Sequence, residues 1–166
     1  MTTMTETTQV YRVYIKAPPQ TVWDAITKPE WTQRYGYGGV ADFDLRPGGR
    51  ALARKGPSMA AFGDVPEVLI DGEVLESDPP NRLVHTWRVA MDEAMLQEGF
   101  TRVTYELTET DPGVTKLTVV HELEGAPSVA DLVAGGQEAQ GAGGGWPWIL
   151  SDLKSLLESG STLAGR

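Results

Sequence analysis

The sequence predicts an α+β fold: a curved antiparallel β-sheet wrapped around one long C-terminal α-helix, with two short helices after the first strand. Three observations predict it. Segments such as "RLVHTWRVA", "TRVTYELTET" and "TKLTVVHELE" alternate apolar and polar residues, as half-buried strands do. Gly, Pro, Asn and Asp turn signals separate them at intervals of about ten residues, which makes a meander of sequential neighbours. Finally, "GWPWILSDLKSLLE" carries Trp146, Ile149, Leu150, Leu153, Leu156 and Leu157 at helical spacing, with Ser151, Asp152, Lys154, Ser155 and Glu158 opposite.

The elements follow in order. "VYRVYI" (Val10 to Ile15) is dense in β-branched and aromatic residues and reads as a strand. In "APPQTVWDAIT" two prolines open a helix in which Val22, Trp23 and Ile26 share a face, and Pro29 stops it. "PEWTQRYGYGG" is a second short helix, with Trp31 and Tyr35 four apart, ended by Gly36, Gly38 and Gly39. "ADFDLRPGGRALA" is a hairpin turning at Pro47 to Gly49. "RKGPSMAAFGDVP" is irregular. "EVLIDGEVLES" reads as one strand whose central Gly72 marks a bulge or a close approach to the backbone. Three more strands follow, so six lie between the short helices and the long one. "VADLVAGGQEAQGAGGG" starts as a short helix near Ser128 to Val133 and ends in glycines. Gly160 is the expected stop of the last helix.

Strand parity assigns the faces. Leu83, His85, Trp87 and Val89 share one side, as do Val103, Tyr105 and Leu107, and Leu117, Val119 and His121. That apolar side must be covered, and the long helix is the available cover.

Composition narrows the function. A net charge of −9 repels phosphate backbones and anionic lipid, so neither nucleic acid nor a membrane surface is an expected partner. The 166 residues include no cysteine, which excludes disulfides and thiol nucleophiles. Two histidines leave little material for a metal site, and no cofactor is expected. No apolar run approaches the roughly 20 residues of a membrane span. The polar start "MTTMTETTQ" has no signal-peptide pattern, so a cytoplasmic location is expected. Residues 1–9 and 160–166 read as frayed ends around a domain at 10–159.

The motifs "IKAPPQTVWDAIT", "FDLRPGGR", "GEVLESDPPNRLVHTW" and "GWPWILSDLKSLLE" appear in an order that resembles the START-like, helix-grip superfamily. More narrowly, the chain resembles the branch of homologues of the activator of the ninety-kilodalton heat-shock chaperone's ATPase. The residues that carry the resemblance are Pro18, Val22 and Trp23; Pro47, Gly48 and Gly49; Gly72, Glu73 and Val74; Pro79 and Pro80; Leu83, Val84, Thr86 and Trp87; and Gly145 and Trp146. It spans about residues 10 to 158. It implies a cavity between the long helix and the sheet, on a scaffold that hosts carriers, cyclases and hydrolases.

The glycine run before Trp146 is not a phosphate loop, because no lysine follows until Lys154 and Pro147 removes a backbone donor. It reads as a gate at a pocket mouth or as plain solvent loop. Candidate ligand-binding residues are Tyr35, Phe43, Phe62, Glu73, His85, Trp87, Tyr105, His121, Trp146 and Leu150. The aromatics combine apolar bodies with polar tips. His85 and His121 are buried imidazoles by parity, and Glu73 becomes an acid/base candidate if it faces inward. Each also has a bland reading, as core packing or as a solvated strand residue.

The expected function is binding of a hydrophobic or aromatic small molecule between the long helix and the sheet, with a homodimer left open. The alternatives are an enzyme on the same scaffold (a cyclase, dehydratase or hydrolase using His85, Glu73 or His121) and a chaperone ATPase-activating partner. The enzyme reading needs Glu73 and His85 to face one another.

Overall fold

The computed structural model describes residues 7–57, 59, 65–141 and 143–163. Phe62 lies outside them. Eight strands form one antiparallel sheet: β1 (Thr8–Ile15), β2 (Val40–Phe43), β3 (Ala51–Arg54), β4 (Val68–Asp71), β5 (Val74–Asp78), β6 (Arg82–Val89), β7 (Thr101–Asp111) and β8 (Val114–Glu122). Their order across the sheet is β1-β8-β7-β6-β4-β3-β2, and β5 pairs with β6 beside β4. The helices are α1 (Pro19–Thr27), α2 (Pro29–Thr32), α3 (Glu93–Glu98), α4 (Pro127–Val133) and α5 (Gly145–Ser159).

The predicted strand "EVLIDGEVLES" is two strands, so seven rather than six follow the short helices. The break falls at Gly72, where a Cβ would lie 1.9 Å from the Thr86 carbonyl oxygen. The Thr86 hydroxyl accepts the Glu73 N–H at 2.8 Å. The neighbouring strand thus crowds the backbone, which turns here and resumes with Val74 inward. Helix α3 also lies where no element was anticipated. Asp92 caps it by accepting the Met95 N–H at 3.0 Å. At its other end Glu98 accepts the Ser128 and Val129 N–H groups, each at 3.0 Å, supplying the N-terminal cap that α4 lacks on its own.

Helix α5 lies on the sheet apolar face down, with Trp146, Leu150, Leu153 and Leu156 buried against Leu83, Val103, Leu117 and Val119. Two contacts fix it at the β1 edge. The Lys154 ammonium donates to the Tyr14 carbonyl at 2.6 Å, and Glu158 accepts the Lys16 N–H at 2.8 Å. Gly160 ends the helix in the left-handed conformation, φ 81°.

Three expectations change. Asp152, assigned to the solvent side of the helix, has 0% exposure. Its two oxygens accept the Gly36 N–H and the Leu163 N–H, both at 2.8 Å. The tail is consequently not loose at residues 161–163: Thr162 is buried and the chain folds back onto α5. Strand β1 begins at Thr8, inside the stretch expected to fray, because the ladder with β8 extends to Glu122. No helix among the described residues is long and apolar enough to cross a membrane.

Candidate functional site

His85, Val103 and His121 sit directly opposite one another on β6, β7 and β8, and so share one face of the sheet. Around them six rings form a continuous string. Phe43 meets His85 edge-on at 5.4 Å between centroids, and His85 stacks on Tyr105 at 5.8 Å. Tyr105 meets Trp146 at 6.2 Å, Trp146 meets His121 at 6.0 Å, and His121 meets Trp87 at 4.9 Å. These are ordinary offset and edge contacts between aromatic groups. The string runs under the first turn of α5 and reaches β2 through Phe43.

The two histidines have different surroundings. Trp146 donates its Nε1–H to His121 Nδ1 at 3.0 Å. An indole nitrogen only donates, so Nδ1 is the acceptor and Nε2 carries the proton. Nε2–H donates to the Thr101 hydroxyl at 2.8 Å, and that hydroxyl donates to the Trp87 carbonyl at 2.9 Å. Every group in this chain is satisfied. Burial, aided by repulsion from His85, pushes the His121 imidazole down to about 3, so it is neutral at pH 7.

His85 is 3% exposed. Its Nδ1 lies 2.7 Å from the Thr86 carbonyl oxygen. A carbonyl only accepts, so Nδ1 carries the proton and Nε2 presents a bare lone pair. That lone pair is buried and has no hydrogen-bond partner among the described residues. Burial pushes this imidazole down to about 4, against the smaller opposing effect of its bond to Thr86. Beside it, the half-buried Tyr105 hydroxyl has no partner among the described residues, and burial pushes its pKa well up.

Residues 16–158 match the family described as Activator of Hsp90 ATPase homolog 1-like protein. The chain belongs to this family. Solved structures agree with the fold. Protein MLL2253 from Mesorhizobium loti is 27% identical with a TM-score of 0.64, over 91% of this chain and 96% of that one. PFC0360w, an HSP90 activator from Plasmodium falciparum, is 21% identical with a TM-score of 0.54, over 70% and 73%. CalU16 from Micromonospora echinospora is 23% identical with a TM-score of 0.57, over 80% and 69%. The last two likenesses concern the fold alone. No curated protein matches the chain.

In this family member the structure brings together Phe43, His85, Trp87, Tyr105, His121 and Trp146. Leu150 is buried one turn along α5. Tyr35 is buried too, but its hydroxyl donates to the Ala25 carbonyl at 2.8 Å and is used in holding α1. Glu73 is not in the interior. It is exposed, because the turn at Gly72 sends Val74 inward and Glu73 outward, so it does not face His85 and the acid/base pair of the enzyme alternative does not form.

Thr101 and Asp152 were missed. Thr101 has the parity of Val103 and Tyr105, so extending the face by one residue pair would have found it. Asp152 lies between Ile149 and Leu156 on the flank of the apolar stripe, a place where a carboxylate needs donors from elsewhere in the chain. The glycine run is packed rather than open at its end. The Gly145 N–H donates to the Tyr37 hydroxyl at 2.9 Å, and a Cβ on Gly145 would lie 2.2 Å from the Val133 carbonyl.

Proposed function

We propose that the chain binds a hydrophobic, aromatic small molecule between α5 and the apolar face of the sheet. The observation that carries the reading is the buried His85 Nε2 lone pair, left without a partner among the described residues in a string of six rings. A buried acceptor without a donor costs about 1–3 kcal/mol, a cost that folding alone leaves unrecovered and a bound donor recovers. Phe43 and Tyr105 pack on the same imidazole, so aromatic groups flank the unpaired acceptor, the pairing of apolar walls with a few polar groups that small-molecule sites use. With Glu73 outside, the chain lacks the carboxylate that the enzyme reading needed. The protein acts as a carrier or sensor inside the cell, and its partner is the small molecule.

The test is native mass spectrometry of protein purified from its own source, with a thermal-shift panel of apolar aromatics. The reading predicts a retained organic mass that is released on denaturation, or a rise in Tm with aromatics. Bare protein mass together with no shift across the panel contradicts it. A second reading, contact with a chaperone ATPase, is favoured by the family's description. Stimulation of that ATPase by the purified chain decides it.

A further inference from the structure

We infer that His85 Nε2 accepts a hydrogen bond from the hydroxyl of a neutral phenol or enol, so that the ligand class is an uncharged aromatic with one donor at its end. This rests on the small-molecule reading above and adds the chemistry of the ligand's polar group.

The Thr86 carbonyl holds the proton on Nδ1 at 2.7 Å, which leaves Nε2 as an acceptor and nothing else. Nε2 is the ring nitrogen farther from the chain, and its lone pair lies in the plane of a ring that Phe43 meets edge-on and Tyr105 stacks upon. His121, in the same cross-strand row, shows what this interior does with an imidazole it means to close: both nitrogens are bonded, through Trp146 and Thr101. His85 is packed just as deeply and is left open on one side. The stacked neighbour, Tyr105, carries a second hydroxyl without a partner among the described residues.

Charge selects the neutral form. Among the described residues the buried polar side chains are threonines, the two histidines and Asp152, with no lysine or arginine. A carboxylate or phenolate entering here finds no cation, meets a lone pair, and loses its hydration. Burial keeps His85 uncharged at neutral pH, so it cannot supply the positive charge itself.

Four matched probes test the inference: 2-naphthol, 2-methoxynaphthalene, naphthalene and 2-naphthoate, titrated calorimetrically into the full chain and into His85→Phe at pH 7. The expected result is that naphthol binds about tenfold more tightly than its methyl ether. Naphthoate binds weakest, and His85→Phe binds naphthol and the ether alike. Equal binding of naphthol and ether by the wild-type chain overturns the inference and leaves the small-molecule reading standing, as does a naphthol preference that survives in His85→Phe. Failure of all four probes to bind removes the small-molecule reading and the inference with it. A direct measurement avoids any folding defect of the variant. In long-range ¹H–¹⁵N spectra of the wild-type chain, naphthol shifts the His85 Nε2 resonance and the ether does not. An Nε2 resonance unmoved by saturating naphthol also overturns the inference.

Discussion

The indole of Trp146 and the imidazole of His121 are joined at 3.0 Å, Nε1–H to Nδ1, across the seam between α5 and β8. This bond sets the His121 tautomer and sends a chain of donors through Thr101 to the Trp87 carbonyl. It also seats the first turn of α5. Breaking it leaves a buried acceptor unpaired at the place where the helix meets the sheet.

Trp146→Phe removes that donor while keeping a ring. It should cost about 1–3 kcal/mol for the orphaned Nδ1, in addition to the lost contact area. Thr101→Val, which orphans the other end, should cost a similar amount. The double variant should cost clearly less than the sum, because both changes break one network. Urea unfolding of the three variants checks this, and full additivity would show that the chain of bonds does not act as a unit.

Acid stability follows from the two histidines. Their folded pKa values, about 4 and about 3, lie below the unfolded value near 6.5. Between these limits the unfolded chain binds protons that the folded chain refuses. The stability is therefore intact above about pH 6.5 and is lost as pH falls toward 4. Each histidine contributes up to about 1.4 kcal/mol per pH unit. Glu158, held low by Lys154 and the Lys16 N–H, keeps its contribution above the ordinary glutamate value and loses it as pH falls from there through its lowered folded value. Unfolding free energies at pH 7, 6 and 5 should fall with a slope approaching two protons, and His121→Asn should reduce that slope.

Gly145 carries φ 67° and sits against the Val133 carbonyl. Gly145→Ala should cost about 1–3 kcal/mol for the backbone conformation alone, with the clash in addition. Gly39→Ala is the control. Its φ is not positive and its nearest neighbour would be at 3.7 Å, so the Tm should stay within a degree or two.

Leu153 is 1% exposed beneath α5. Leu153→Ala should cost about 2–5 kcal/mol. Lys154, which the sequence places in solvent, makes a poor silent control, because it holds the Tyr14 carbonyl and Glu158. Ser151→Ala, on the exposed face, should change stability by less than about 0.5 kcal/mol.

Much of the fold was legible because it rests on periodicity. Leu83, His85 and Trp87 on one strand, and Trp146, Leu150 and Leu153 on one helix, announce a one-sided sheet and its cover. Proline and glycine announce the turns. What periodicity could not read depends on contacts between distant segments. The break at Gly72 comes from the Thr86 carbonyl on the next strand, and it alone decides that Glu73 faces out. Asp152 looks like a solvent residue until Gly36 and Leu163 arrive with their N–H groups. The two histidines have the same parity and the same neighbours in one dimension. Only the three-dimensional hydrogen-bond pattern separates the closed His121 from the open His85. The cluster of rings around His85 and His121 is thus legible from sequence, Glu73 and Tyr35 lying apart from it, but the hydrogen-bond pattern that distinguishes its members is not.

The central claim is that an aromatic molecule is held beneath α5 against these rings. Isotope-filtered NOE spectroscopy of the labelled chain with unlabelled 2-naphthol tests it most directly. The account predicts contacts from the ligand to Phe43, Tyr105 and Trp146. An absence of ligand contacts at saturating concentration, or contacts confined to exposed rings such as Tyr14 and Phe100, would contradict it.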